Sequence, residues 1–148
     1  MDTERGAPGT YILVLLLAQP TRAVVGALGA LDLKSGYYLY VGSALNGLAG
    51  RLRRHSRTDS KHLYWHIDYL RAHATLVEVW WTLSTERLEC DWAAALRRLP
   101  GEPEPVAGFG ASDCRCSSHL FYLVDRPSCN DFADQQLNQD IASTNKNS

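Results

Sequence analysis

The stretch YYLYVGSALNGLAGRLRRH, residues 37–55, sets a tyrosine-rich apolar run directly against a glycine-interrupted segment ending in Arg51, Arg53, Arg54 and His55. Aromatic and β-branched residues in "YYLYVGS" read as a strand. Leu45, Leu48 and Leu52 then recur at helical spacing over Asn46–Arg57, although Gly47 and Gly50 weaken the intrinsic propensity, so packing must hold this helix. A strand that turns at Gly42 into a basic helix places Arg51, Arg54 and His55 on one surface, at i, i+3 and i+4, beside the tyrosines.

Outward from this junction, "TYILVLLLA" (residues 10–18) is a continuous apolar run bounded by Gly9 and Pro20, the pattern of a strand buried on both faces. Residues 23–31 and the turn chemistry of "DLKSG" predict antiparallel strands joined by a tight turn into "YYLYVGS". A second helix is expected through "LYWHIDYLRAH", in which Asp68 and Arg71 form a weak helix ion pair, and "TLVEVWWTL" reads as another strand. Thr85 is expected to cap a third helix, "ERLECDWAAALRRL", ended by Pro100. "GEPEP" reads as a loop and "HLFYLV" as a last strand. The fold class that follows is α/β: one compact domain over residues 9–125, with a small, largely antiparallel sheet flanked by helices. Residues 126–148 carry little apolar content and are expected to form a disordered tail.

A chain of 148 residues, 45% apolar and 21% charged, suits one core. The polar, acidic start "MDTERGAP" lacks the basic flank of a secretory signal, and the apolar run behind it is too short to span a bilayer. The expectation is a cytoplasmic protein with no membrane partner. Net charge is only −1, yet residues 1–75 hold nine Lys/Arg against five Asp/Glu, and residues 76–148 hold six against eleven. The positive charge concentrates in Arg51, Arg53, Arg54, Arg57, Lys61 and Arg71, a local patch suited to phosphates.

The chemistry at the junction is coherent. A guanidinium is permanently charged and forked, so it can hold two phosphate oxygens. A phenol is a poor base at neutral pH unless a nearby cation favours its phenolate. The segments "GTY" (Gly9–Tyr11), "YVG" (Tyr40–Gly42) and "RLRRH" (Arg51–His55), with an acidic residue opening a later helix, resemble the GIY-YIG nuclease superfamily. The fuller pattern with "WHIDYL", "EC" and "FGASDCRCSSHLFY" is similar to its small stand-alone, Uri-type branch. The resemblance implies a divalent-metal-dependent endonuclease acting on DNA, with Mg²⁺ or Mn²⁺ held by one glutamate and tyrosines and an arginine around the scissile phosphate. Residue by residue it implies Tyr11 and Tyr40 as the motif tyrosines, Arg51 as the helix arginine, His55 as an accessory histidine and Glu89 as the metal ligand, with Glu86 the competing choice. Arg53, Arg54, Arg57 and Lys61 become general phosphate contacts.

The sequence departs from the family pattern at three points: Thr10 sits at the centre of the first motif, "VVGALGALDLKSG" lengthens the spacer, and Ser43 stands where a basic residue often follows the second motif. The alternative reading is a nucleic-acid-binding module that kept the fold and weakened or lost cleavage. Cys90, Cys114, Cys116 and His119 have the composition of a closed structural Zn²⁺ site, against a packing role for the same residues.

Overall fold

The structure is a computed structural model that describes residues 7–44, 47, 51–52, 66–106, 109, 118–136 and 140–145. Its centre is the apolar run after Gly9. Strand β1 (Gly9–Leu17) is buried along almost its whole length because it is paired on both edges and covered on both faces. On one edge lies β4 (Gly36–Ala44), with Tyr11 opposite Gly42 and Leu13 opposite Tyr40. On the other lies β5 (Thr75–Leu83), whose register with β1 shifts between Val14 and Leu15.

Beyond β4 come β7 (Leu120–Leu123) and then β6 (Glu104–Pro105), a short strand within the segment expected to be a loop. Beyond β5 comes β8 (Ala142–Asn145). The six-stranded order is therefore β6, β7, β4, β1, β5, β8, and every pairing is antiparallel. This is the compact α/β architecture with a largely antiparallel sheet that the sequence implied.

Alternation along the strands builds two cores, one on each face. On the first, Tyr11, Leu13, Leu15, Tyr38 and Tyr40 pack with Ile67 and Leu70 of α1 (His66–Arg71). The same core takes in the two-stranded ribbon of β2 (Thr21–Val24) and β3 (Ala30–Leu33), joined by a 3₁₀ turn at Gly26–Leu28. The spacer thus folds as a ribbon of its own and leaves β1 and β4 to pair directly. On the second face, Ile12, Val14, Leu39, Val41 and Trp80 pack with Leu88 and with Trp92, Ala93 and Leu96 of α2 (Glu89–Leu96).

Helix α2 begins later than expected. Ser84 captures the Glu86 N–H with its hydroxyl, at 3.0 Å, and the chain makes a turn there before Leu88 enters the helix. Thr85 is therefore not the cap, and Glu89 becomes the first helical residue.

The expected disordered tail is corrected. Ser128 caps α3 (Cys129–Ala133) by accepting from the Asp131 N–H, and Phe132 is fully buried. Its ring stacks on Trp80 at 5.6 Å and meets Trp92 edge-on at 5.0 Å. Arg126 bonds both Glu78 of β5 and Asn145 of β8, each at 3.2 Å. One aromatic anchor, one bridged arginine and a strand pairing hold a segment whose average composition is too polar to signal order. Among the described residues, no helix is long and apolar enough to cross a membrane.

Candidate functional site

The site lies where β1 begins and β4 ends. Tyr11 and Tyr40 stand diagonally on one face of this strand pair, because Tyr11 is opposite Gly42 and Tyr40 is two residues away. Gly42 is required by close approach: a Cβ there would lie 2.5 Å from the Tyr11 hydroxyl oxygen and 2.6 Å from its Cζ. The glycine of "YVG" is thus the seat of the tyrosine of "GTY". Tyr40 packs edge-on against Phe109 at 6.2 Å.

Arg51 and Leu52 are helical, and the Arg51 N–H donates to the Gly47 carbonyl at 3.3 Å. Arg51 Nη1 donates to the Ser43 carbonyl at 3.1 Å, and the guanidinium also hydrogen-bonds the Tyr11 side chain. The Ser43 hydroxyl donates to Glu89 Oε1. Ser43 therefore links the two charged groups, its carbonyl held by the arginine and its hydroxyl by the carboxylate. The other carboxylate oxygen, Oε2, lies 3.6 Å from His119 Nδ1. His119 continues the sheet beyond β7, its carbonyl accepting from the Val41 N–H at 2.9 Å and its N–H donating to the Phe109 carbonyl at 2.8 Å.

Burial decides the electrostatics. Removal from water pushes the Tyr11 phenol far above its usual range, more than Arg51 lowers it by charge and hydrogen bond, and the negative charges of Glu89 and Asp68 raise it further. Tyr40 is raised in the same way, by burial first, then by Tyr11, Glu89 and Asp68, with Arg51 opposing. Both phenols are protonated at neutral pH. Burial also lowers His119 below the ordinary histidine value, while Glu89 pulls it back up.

The structure brings together four expected residues, Tyr11, Tyr40, Arg51 and Glu89. His55, Arg53, Arg54, Arg57 and Lys61 lie outside the described residues, as do Cys114 and Cys116. Of the four residues weighed between a zinc site and packing, Cys90 is exposed and the His119 ring turns its Nδ1 to Glu89. Glu86, the competing ligand, precedes the helix.

Three participants were not legible as such. Ser43 read as a departure from a pattern, and His119 as either a zinc ligand beside the cysteines or a packing residue. Asp68 read as half of a surface ion pair, yet it is fully buried and its charge reaches both tyrosines; the Arg71 guanidinium donates to the Ala74 carbonyl at 2.8 Å. The one signal for Asp68 was its place beside Ile67, on the flank of the stripe that Ile67 and Leu70 bury.

Among the described residues, no group of three or more His, Cys, Asp or Glu is placed to hold a metal. Glu89 nevertheless fits a weakly held divalent ion. It is 27% exposed, one oxygen is fixed by Ser43, and small divalent ions are commonly held by one or two carboxylates with water and phosphate completing the shell.

No curated protein and no solved structure matches the chain. A family model does, over residues 10–141, from the strand that carries Tyr11 through the docked Phe132. The chain belongs to the family described as domain of unknown function DUF123.

Proposed function

We propose that this domain is a divalent-metal-dependent phosphodiesterase that cuts the backbone of DNA, the activity implied by its resemblance to GIY-YIG nucleases. The observation that carries the reading is the Ser43 link: a permanent cation and a partly exposed carboxylate are held on one residue, beside two buried tyrosines. Arg51 would grip the scissile phosphate and stabilise the charge that develops on its oxygens. Tyr11, hydrogen-bonded to Arg51, fixes the direction of the guanidinium. Tyr40 is 9% exposed against 1% for Tyr11, so it is the phenol that can orient an attacking water.

A divalent ion on Glu89, Mg²⁺ or Mn²⁺, would supply positive charge at the phosphate and acidify nearby oxygens. As protonated groups the tyrosines act first as hydrogen-bond donors, and a base role for Tyr40 requires added positive charge that outweighs its burial. His55 would orient or relay a proton, and Arg53, Arg54, Arg57 and Lys61 would track the flanking backbone. A structural Zn²⁺ site on Cys90, Cys114, Cys116 and His119 is the competing assignment of these residues, against a packing role, and metal content tests it.

A second reading, a binding module with weak or no cleavage, is favoured by the protonated state of both tyrosines. Incubating the protein with supercoiled plasmid and Mn²⁺ separates the two. Nicking that is abolished by chelator, and lowered at least ~100-fold in Glu89→Gln, supports the nuclease; binding without nicking on duplex, flap and single strand supports the module.

A further inference from the structure

The position of His119 is not explained by the nuclease reading. Its backbone is tied on both sides, to Val41 and to Phe109, and its ring is 4% exposed. The Glu89 carboxylate is equally constrained, because the Ser43 hydroxyl holds Oε1 and leaves Oε2 facing the ring. The 3.6 Å between Oε2 and Nδ1 is longer than a good hydrogen bond. Two ligands at metal bonds of about 2.1 Å are about 3.4 Å apart at a tetrahedral angle. In the right-angled octahedral arrangement that Mg²⁺ demands they are about 3.0 Å apart. The observed spacing is thus close to the tetrahedral value and about 0.6 Å wider than the octahedral one, so an octahedral ion would draw the two groups together.

We infer that Glu89 and His119 form a two-residue chelate, one carboxylate oxygen and one imidazole nitrogen, for a first-row divalent transition-metal cation, with Mn²⁺ as the spectroscopic probe. The inference rests on reading Glu89 as the metal carboxylate. An imidazole ligand suits the later first-row ions and disfavours Mg²⁺, which prefers oxygen. Mn²⁺ is the right probe because it takes carboxylate and avoids thiolates, so Cys90 and the other cysteines compete little for it.

The test uses the full chain with Mn²⁺ alone, reading affinity by titration and the bound ligand by pulsed electron paramagnetic resonance. Expected is a directly bound ¹⁴N signal in the wild type, lost in His119→Gln together with at least a tenfold loss of Mn²⁺ affinity. Mg²⁺ affinity should change less than threefold in the same variant and should fall in Glu89→Gln. Circular dichroism identifies a variant that fails to fold, and Glu89→Gln, at a partly exposed position, then carries the test by losing the nitrogen signal too. Absence of ¹⁴N coupling in the wild type, or its persistence in folded His119→Gln, overturns the chelate. Nicking supported by Mg²⁺ without nitrogen coupling sinks the chelate alone. Nitrogen coupling that both variants lose, in a protein that never nicks, upholds the chelate and sinks the nuclease reading.

Discussion

The Tyr11 hydroxyl lies against the bare Cα of Gly42, where the first carbon of any side chain would stand 2.5 Å away. The two motifs, separated in sequence by a whole ribbon, are therefore one steric unit. Tyr11 is 1% exposed and packed on all sides, so it cannot swing clear. Gly42→Ala should destabilise the domain by about 1–3 kcal/mol, the usual cost of overpacking. Adding Tyr11→Leu, which shortens the opposing side chain, should make the pair less costly than the sum of the single changes. Chemical denaturation of the four proteins measures the coupling, and strict additivity would contradict the contact.

Removing the Ser43 hydroxyl should free Glu89 without disturbing the core. Ser43→Ala is expected to change stability by no more than about 1.5 kcal/mol, while nicking falls roughly tenfold because the carboxylate loses its fixed rotamer. The check is kcat against KM: an effect confined to a raised KM would mean that Ser43 contacts substrate instead.

Thr10 faces the same side of the sheet, directly opposite Ser43, and its fully buried hydroxyl has no hydrogen-bond partner among the described residues. An unmade buried bond carries its full desolvation cost. Thr10→Val, nearly the same shape, should therefore be neutral or raise stability by up to about 1 kcal/mol. A loss above that range in urea unfolding would reveal a partner for the hydroxyl.

Alkaline pH should expose the buried phenols. Tyr11 and Tyr40 are raised above their unfolded value by burial, and Tyr38, whose hydroxyl donates to the Lys34 carbonyl at 2.7 Å, is pushed up to about 12. The folded state keeps protons that the unfolded state releases. Stability is thus fully present below pH about 10 and declines as pH rises through the folded values. Unfolding free energies at pH 8, 10 and 11 should trace this fall, and Tyr11→Phe should make it shallower. An unchanged slope would mean that Tyr11 ionises normally.

Phe132 should behave as a core residue. Phe132→Ala is expected to cost about 3–5 kcal/mol, and deletion of residues 127–148 should lower the thermal midpoint by many degrees. Quenching or a red shift of tryptophan fluorescence should accompany both changes, since the ring covers Trp80 and Trp92. A truncated domain with an unchanged midpoint would return the segment to the status of a loose tail.

The sheet was legible wherever pattern and burial coincide. "TLVEVWWTL" became β5 over those same nine residues, and the unbroken apolar run after Gly9 became the central strand. The start of α2 was misread because a serine hydroxyl engaged the backbone one residue before the expected cap. The docking of Phe132 was hidden because composition averages over a window, whereas one ring between two indoles is a single contact. At the site, tyrosines, arginine and glutamate were visible as chemical types. Ser43 and His119 were not, because their roles depend on which face of a strand meets the first turn of a helix from elsewhere in the chain.

The pairing of β8 with β5 has a consequence for the order of assembly. Strand β8 leaves the ribosome roughly sixty residues after β5, so the outer edge of β5 stays open through much of synthesis. That edge belongs to an apolar strand with two adjacent tryptophans, a template on which another nascent chain could pair. The strand that finally covers it, "ASTN", is short, polar and exposed throughout, and offers a poor surface for further addition. Late closure by a modest strand thus gives this protein a vulnerable interval before completion and a quiet edge afterwards.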